Sequence, residues 1–318
     1  MSAPSIGQRN MWEEIRANKR NSFLLMILVS LVLVGFSAFI GALLGSAWHG
    51  IIIGFIVAMF LSLIAFFQSD QIILSMSNAA PVTHEEFPQL YNVVDEMRIA
   101  AGLPMPKVYL IHEAAPNAFA TGRNPERASV AVTSGLMTKL NREELQAVTA
   151  HEMSHVRHYD IRFAMILAVM VGAIVMLSQF FLRFGIFGMR GARRSRGRGG
   201  GAAQVILLLV AIVFAILAPL MAKLIELAAS RRREYLADAG AAELTRNPLA
   251  LASALEKIAT DRAPLESANG ATQHLYIVNP LKPLRSRSSV FSTHPPIEER
   301  IRRLRQMAYQ FADSNEKR

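Results

Sequence analysis

The chain has 318 residues, 52% of them hydrophobic and 18% charged, with a formal net charge of +10. Four long apolar runs hold much of that hydrophobic share, which excludes an ordinary soluble enzyme. Cysteine is absent, so no disulfide framework exists, in agreement with a catalytic region in a reducing compartment.

Phe23 to Leu44 and Ile51 to Phe67 are each long enough to cross a hydrocarbon core, and only Gly45-Ser46-Ala47-Trp48-His49-Gly50 separates them. Residues 23–67 are therefore expected to form a transmembrane hairpin behind a cytoplasmic tail, residues 1–22. A cleaved signal peptide is the competing reading of the first run, but its apolar core is too long and a second span follows at once. Arg9, Arg16, Lys19 and Arg20 precede the first span, whereas the connecting loop has no Lys or Arg. The positive-inside rule puts the N-terminus in the cytoplasm, and the chain returns there.

Residues 68–160 read as the first part of a catalytic domain. Phe87, Leu90, Val93, Val94 and Met97 recur at helical spacing, and Gly102 with Pro104 ends that helix. Lys107 to His112 reads as a strand, and Arg123-Asn124-Pro125-Glu126 as a turn joining a strand around Ala118 to one from Val130 to Thr133. An edge strand beside a catalytic metal can pair with a substrate backbone, so Asn117, Ala118, Phe119 and Ala120 are the expected peptide-docking residues. A plain structural hairpin is the other reading.

Asn141-Arg142-Glu143-Glu144 looks like a capping box, and Leu145, Ala147 and Val148 carry a helix into His151-Glu152-Met153-Ser154-His155, an H-E-x-x-H pentapeptide. Two histidines four apart lie on one helical face, so their ring nitrogens can converge on one zinc ion at about 2 Å, with Glu152 beside the water that such an ion activates. A catalytic zinc usually holds three side chains and keeps one position open. His158 lies two turns from His151, too far along one rigid helix to share its metal easily, and reads as a surface or interface histidine. The better third ligand is Glu234, in Ser230-Arg231-Arg232-Arg233-Glu234-Tyr235-Leu236-Ala237-Asp238. Glu and Asp four apart share a face, so Glu234 can bind zinc while Asp238 accepts the second N–H of a ligand histidine and fixes its tautomer. Taken alone, that stretch reads as a solvated charged helix.

Between the two motifs, residues 161–230 hold the apolar runs Phe163 to Leu182 and Val205 to Ala222, with a basic loop, residues 183–204, between them. His155 and Glu234 must reach one ion, so this part of the chain crosses the membrane an even number of times. Two crossings export the arginines of the loop, against the charge rule; no crossing keeps them inside and requires both runs to be re-entrant, interfacial or packed on protein. Segment length and hydrophobicity favour two crossings, and the alternative stays open. The loop resembles low-complexity RNA-binding tracts but has no aromatic residues for base stacking. It is expected to contact anionic headgroups of the lipid bilayer, and no nucleic-acid partner is expected.

Residues 231–318 complete the catalytic domain. Pro248 and Pro296 begin helices, and Glu298, Glu299, Arg300, Arg302 and Arg303 are expected to form a solvated face of the last one. His294, in Thr293-His294-Pro295-Pro296, is a candidate catalytic donor to the oxyanion, or it only shapes a turn.

His151-Glu152-Met153-Ser154-His155, Arg233-Glu234-Tyr235-Leu236-Ala237-Asp238, Asn117-Ala118-Phe119-Ala120-Thr121-Gly122 and Thr293-His294-Pro295-Pro296 together resemble the HtpX family, bacterial membrane zinc endopeptidases related to the CAAX-processing Ste24 proteases. The similarity covers nearly the whole chain. It implies a mainly α chain with a small β-sheet (α+β), a zincin-like metalloprotease domain of the gluzincin type in a polytopic membrane protein, and one Zn2+ per chain. It also implies Glu234 as third ligand, the residue that the shared helix face reaches independently. The expected function is ATP-independent peptide hydrolysis, with Glu152 as general base. Its expected substrates are unfolded or misfolded membrane proteins at the cytoplasmic face of the bacterial inner membrane. Three other readings stand. An intramembrane-cleaving metalloprotease would bury the motif in an apolar span, whereas Asn141, Arg142, Glu143, Glu144, Arg157 and Asp160 surround it here. A dedicated CAAX-type processing protease is the second, and a non-catalytic membrane scaffold with structural zinc the third.

Overall fold

One unbroken helix, α1 (Ile6–Leu43), carries both the N-terminal cations and the first apolar run, and α2 (Ala47–Phe67) carries the second. The computed structural model describes residues 6–43, 45–174, 176, 231–268, 272–280 and 295–316. It comprises two units: residues 22–67 with 166–225, and residues 1–21, 68–165 and 226–318.

In the first unit, α1 and α2 are both long and apolar enough to cross a membrane. Phe23, Leu31, Ile53, Phe55 and Phe60 stand exposed along them, an apolar surface that suits lipid and not water. The helices touch through their backbones: a Cβ on Gly50 would sit 2.1 Å from the Ser37 carbonyl oxygen, so only glycine fits there. Ser30 and Ser62 add a hydroxyl pair at 3.1 Å across the same contact.

The second unit contains α3 (Ser69–Met76), β1 (Ala79–Pro81), α4 (Pro88–Ala101), β2 (Lys107–Ile111), β3 (Ala118–Thr121), β4 (Ser129–Thr133), α5 (Ser134–Lys139) and α6 (Arg142–His158). A further helix, α7, runs over residues 160–174 and starts in this unit. α8 (Arg231–Thr245), α9 (Pro248–Thr260) and α10 (Ile297–Glu316) follow. The strands form one mixed sheet in the order β1-β2-β4-β3, with β2 and β4 parallel and the outer pairs antiparallel. Every residue of β3 and β4 is buried, which explains why they read as continuous apolar or small runs without alternation. α6 packs against β3, α4, α8 and α9. The core includes Leu90, Val93 and Met97 of α4, Val130 and Val132 of β4, Leu145, Val148 and Met153 of α6, and Leu251 and Leu255 of α9. Burial of each such side chain contributes roughly 1.5–3 kcal/mol.

The expected α4, with its end at Gly102, the strands and the Pro125 turn all occur. Residues 6–21, within the expected tail, are helical: Glu14 pairs with Arg232 at 3.2 Å and Lys19 lies 4.1 Å from the Tyr159 ring centre. These cations and polar groups have partners in the fold, and nothing in their local spacing announces that.

Candidate active site

α6 begins with the capping box read from the sequence. Asn141 Oδ1 accepts from the Glu144 N–H at 2.9 Å, and Glu144 Oε2 accepts from the Asn141 N–H at 2.8 Å. Glu144 also receives Lys257 Nζ and Ser253 Oγ of α9, both at 2.7 Å, so the cap fixes the start of α6 to a second helix. The helix ends at Tyr159, whose φ of +62° breaks the helical path directly before Asp160.

His151 and His155 present their Nε2 atoms 3.2 Å apart. Glu234, from α8, brings Oε2 to 3.9 Å from His151 Nε2 and Oε1 to 3.7 Å from His155 Nε2. Ligand atoms around a tetrahedral zinc with bonds near 2 Å lie about 3.3 Å apart, so these three side chains fit such an ion with small adjustments. Close approach of α8 to α6 makes this possible: a Cβ on Gly240 would meet Ser154 Oγ at 2.3 Å. His158 stands outside the cluster, as helix geometry requires, with Nδ1 3.4 Å from Ser154 Oγ.

A carboxylate lies beside each histidine, and the one beside His155 is hydrogen-bonded to it. Asp238 Oδ1 lies 3.1 Å from His151 Nδ1, and Asp160 Oδ2 lies 3.0 Å from His155 Nδ1. Asp238 is the expected acceptor of a ligand histidine's second N–H; the two atoms are close here without the geometry of a hydrogen bond, and Asp160 appeared in the sequence only as part of a polar surround. Arg300 corrects a second expectation. It is 1% exposed, and Nε and Nη2 donate to both Asp238 oxygens at 2.9 and 2.7 Å. Nη1 donates to the Ile277 carbonyl at 2.9 Å and lies 3.3 Å from Glu234 Oε2. The reason is the helical period: Arg300 shares the inward face of α10 with Ile297, Leu304 and Met307, while Arg302 and Arg303 stay outside with Glu299.

Burial and neighbours set the charges. Burial lowers the His151 pKa to about 4, against the opposing effect of Asp238. Burial also opposes charge on His155, but the Asp160 hydrogen bond and the carboxylates of Glu234, Asp160 and Glu152 outweigh it and raise its pKa to about 9. Glu152 is pushed up to about 7, chiefly by burial, while His155 and the backbone N–H of Ala120 pull the other way. Burial and these neighbours favour a neutral His151, a cationic His155 and a Glu152 carboxyl that exchanges its proton near neutral pH.

The sequence profile of peptidase family M48 matches residues 84–308. The chain belongs to peptidase family M48. Proteins named "Protease HtpX homolog" are similar along almost their full length. That of Dictyoglomus thermophilum is 46% identical, covering 93% of this chain and 94% of its own. That of Caldanaerobacter subterraneus subsp. tengcongensis is 43% identical, covering 94% and 99%. That of Listeria monocytogenes is 42% identical, covering 93% and 100%. The solved structure of S. mikatae Ste24p aligns with a TM-score of 0.47 at 18% identity, over 93% of this chain and 66% of that one. The expected HtpX-type relationship is borne out, and with its two exposed apolar helices this M48 chain is a membrane metalloprotease.

The M48 site opens into a cavity lined by His151, Glu152, His155, Glu234, Ala120 and the stretch His274 to Ile277. β3 is the sheet edge, as expected, but half of it is covered. The Ile277 N–H donates to the Ala118 carbonyl at 3.0 Å, Asn117 Nδ2 donates to the Val278 carbonyl at 2.9 Å, and Phe119 meets the Tyr276 ring edge-on at 5.1 Å. Of the four expected docking residues, Ala120 alone lines the cavity. His294, residues 183–204 and the run Val205 to Ala222 lie outside the described residues, as does most of Phe163 to Leu182 beyond residue 174. Sequence reading missed Asp160 and Arg300. The inward period of α10 was available as a signal for Arg300; for Asp160 none was.

Proposed function

We propose that this M48 chain is a zinc endopeptidase of the bacterial inner membrane that hydrolyses unfolded or misfolded membrane-protein segments at the cytoplasmic face. The observation that carries the zinc reading is the convergence of His151, His155 and Glu234 beside buried Glu152. Two histidine nitrogens and one carboxylate are the donor set of a hydrolytic zinc, and their spacing fits its radius. Bound there, zinc supplies Lewis acidity that polarises a scissile carbonyl and acidifies water. Glu152 takes the proton from the attacking water and delivers it to the leaving amine; its raised pKa suits both tasks. Asp160 holds the His155 imidazole through Nδ1, which turns its Nε2 inward, and the Asp238 carboxylate lies beside His151 Nδ1. His294 is proposed as the donor to the oxyanion.

The substrate class follows from how an edge strand reads a peptide. Pairing at Ala120 recognises main chain more than side chains and suits extended segments of many sequences. The basic loop 183–204 is proposed to meet anionic headgroups, and residues 161–230 to cross the membrane twice. The gluzincin-type, multi-pass architecture, with termini and site in the cytoplasm, belongs to the same proposal.

The test compares zinc-dependent cleavage of a folded membrane protein with a destabilised variant carrying the same cytoplasmic loop. Faster loss of the destabilised form is expected; equal rates reject selection by unfolding and favour a dedicated processing protease. Cysteines introduced at Ser46 and Ser195 should both react with an impermeant external thiol reagent. Labelling at Ser46 alone overturns the two-crossing topology.

A further inference from the structure

Asn18 sits on α1, five residues before the first apolar run begins at Phe23, and is 2% exposed. A buried amide must place its donors and acceptor, and Asn18 meets groups at the end of α6, at the start of α7 and at the start of α8. Nδ2 donates to Asp160 Oδ1 at 2.5 Å and to the His158 carbonyl at 3.0 Å. Oδ1 accepts from Arg233 Nη1 at 3.3 Å. Asp160 turns its other oxygen to His155 Nδ1, and Arg233 directly precedes Glu234. One side chain therefore links the end of α6 to the start of α8, the two places where His155 and Glu234 must keep their separation. Neighbouring contacts reinforce the link. Glu14, one turn earlier on α1, pairs with Arg232, and Lys19 covers Tyr159, the residue that ends α6.

We infer that Asn18 is a positioning residue of the metal centre: it fixes the Asp160 carboxylate against His155 and ties that carboxylate to the Arg233-Glu234 end of α8. The head of the first apolar helix is thereby part of the hydrolytic site. The inference rests on the zinc reading above.

The experiment uses the full-length protein in detergent with Asn18→Leu, which keeps the length of the side chain and loses both the donor and the acceptor, and Asn18→Ala, which cannot overfill the site. Zinc affinity is measured by chelator competition below the melting onset of each protein, so that reduced stability does not enter. The visible ligand-field spectrum of the cobalt-substituted proteins reports ligand geometry. Removing a residue that orients a ligand typically weakens metal binding about 10- to 100-fold, and Asn18, one step further out, is expected to cost roughly 3- to 10-fold with a shifted cobalt band. A purely packing role predicts wild-type affinity and spectrum in Asn18→Leu. That result, in a wild type that binds zinc and an Asp160→Asn variant that loses affinity, overturns the inference and leaves the zinc reading intact. A wild-type chain that binds no zinc sinks the zinc reading and this inference with it.

Discussion

Arg300 Nε and Nη2 hold both carboxylate oxygens of Asp238, at 2.9 and 2.7 Å, beneath the His151 ring. The pair joins the last helix to α8 and sets a buried carboxylate beside a candidate ligand. Asp238 is buried, which alone would raise its pKa, yet Arg300 and His151 hold it below the ordinary value. Breaking one partner of such a pair leaves an uncompensated buried charge, a loss of about 3–5 kcal/mol. Arg300→Met should lower stability by that order and weaken zinc binding, as read by thermal unfolding with and without chelator. Unchanged melting and metal content would show that Asp238 finds another partner.

Glu152→Gln should retain zinc and lose activity, because the amide cannot accept the water's proton while His151, His155 and Glu234 are untouched. General base catalysis is worth about 10²- to 10⁴-fold, so kcat/KM on an unfolded substrate should fall at least 100-fold. Activity near wild type would remove Glu152 from the mechanism and favour the scaffold reading.

Zinc uptake should release protons. With the His155 pKa raised to about 9 and that of His151 lowered to about 4, one ligand arrives protonated between these values. The raised pKa favours the cation as pH falls below 9, and zinc must displace that proton. The apparent dissociation constant should rise roughly ten-fold per pH unit between about 9 and 7. Calorimetry in buffers of different ionisation enthalpy measures the protons released; pH-independent uptake across that range would contradict the assignment.

Glu144 contributes stability that depends on pH. Burial raises its pKa, but Lys257, Ser253 and the Asn141 N–H outweigh burial and hold it below 4.5 in the folded chain. A lowered folded pKa stabilises above the unfolded value, and that contribution disappears as the pH falls from 4.5 through the folded value. Glu144→Gln should therefore melt below wild type at neutral pH and approach it under acid. A constant difference at every pH would mean that the cap acts without its charge.

Gly240→Ala should push α8 away from α6, since the new methyl would meet Ser154 Oγ at 2.3 Å. Overpacking of this kind costs about 1–3 kcal/mol and here should also lower zinc affinity. Adding Ser154→Ala should recover part of both losses. Additive effects in the double variant would show that the two positions do not touch.

Two helical histidines, their intervening glutamate, the capping box before them and a Glu-Asp pair four residues apart were legible because a helix repeats every 3.6 residues, so local spacing fixes which side chains share a face. The apolar runs were legible because a membrane span is a matter of length and composition. Other contacts were decided by the tertiary structure. Asp160 reaches His155 because Tyr159 adopts a left-handed backbone, and Asn18 reaches Asp160 across 142 positions. Arg300 turns inward because α10 buries the face that carries it, and Ile277 covers Ala118 because that stretch lies along the open edge of β3. Each of these contacts depends on which elements meet in the folded core; the period of α10 marks Arg300 as facing inward but does not say that Asp238 meets it.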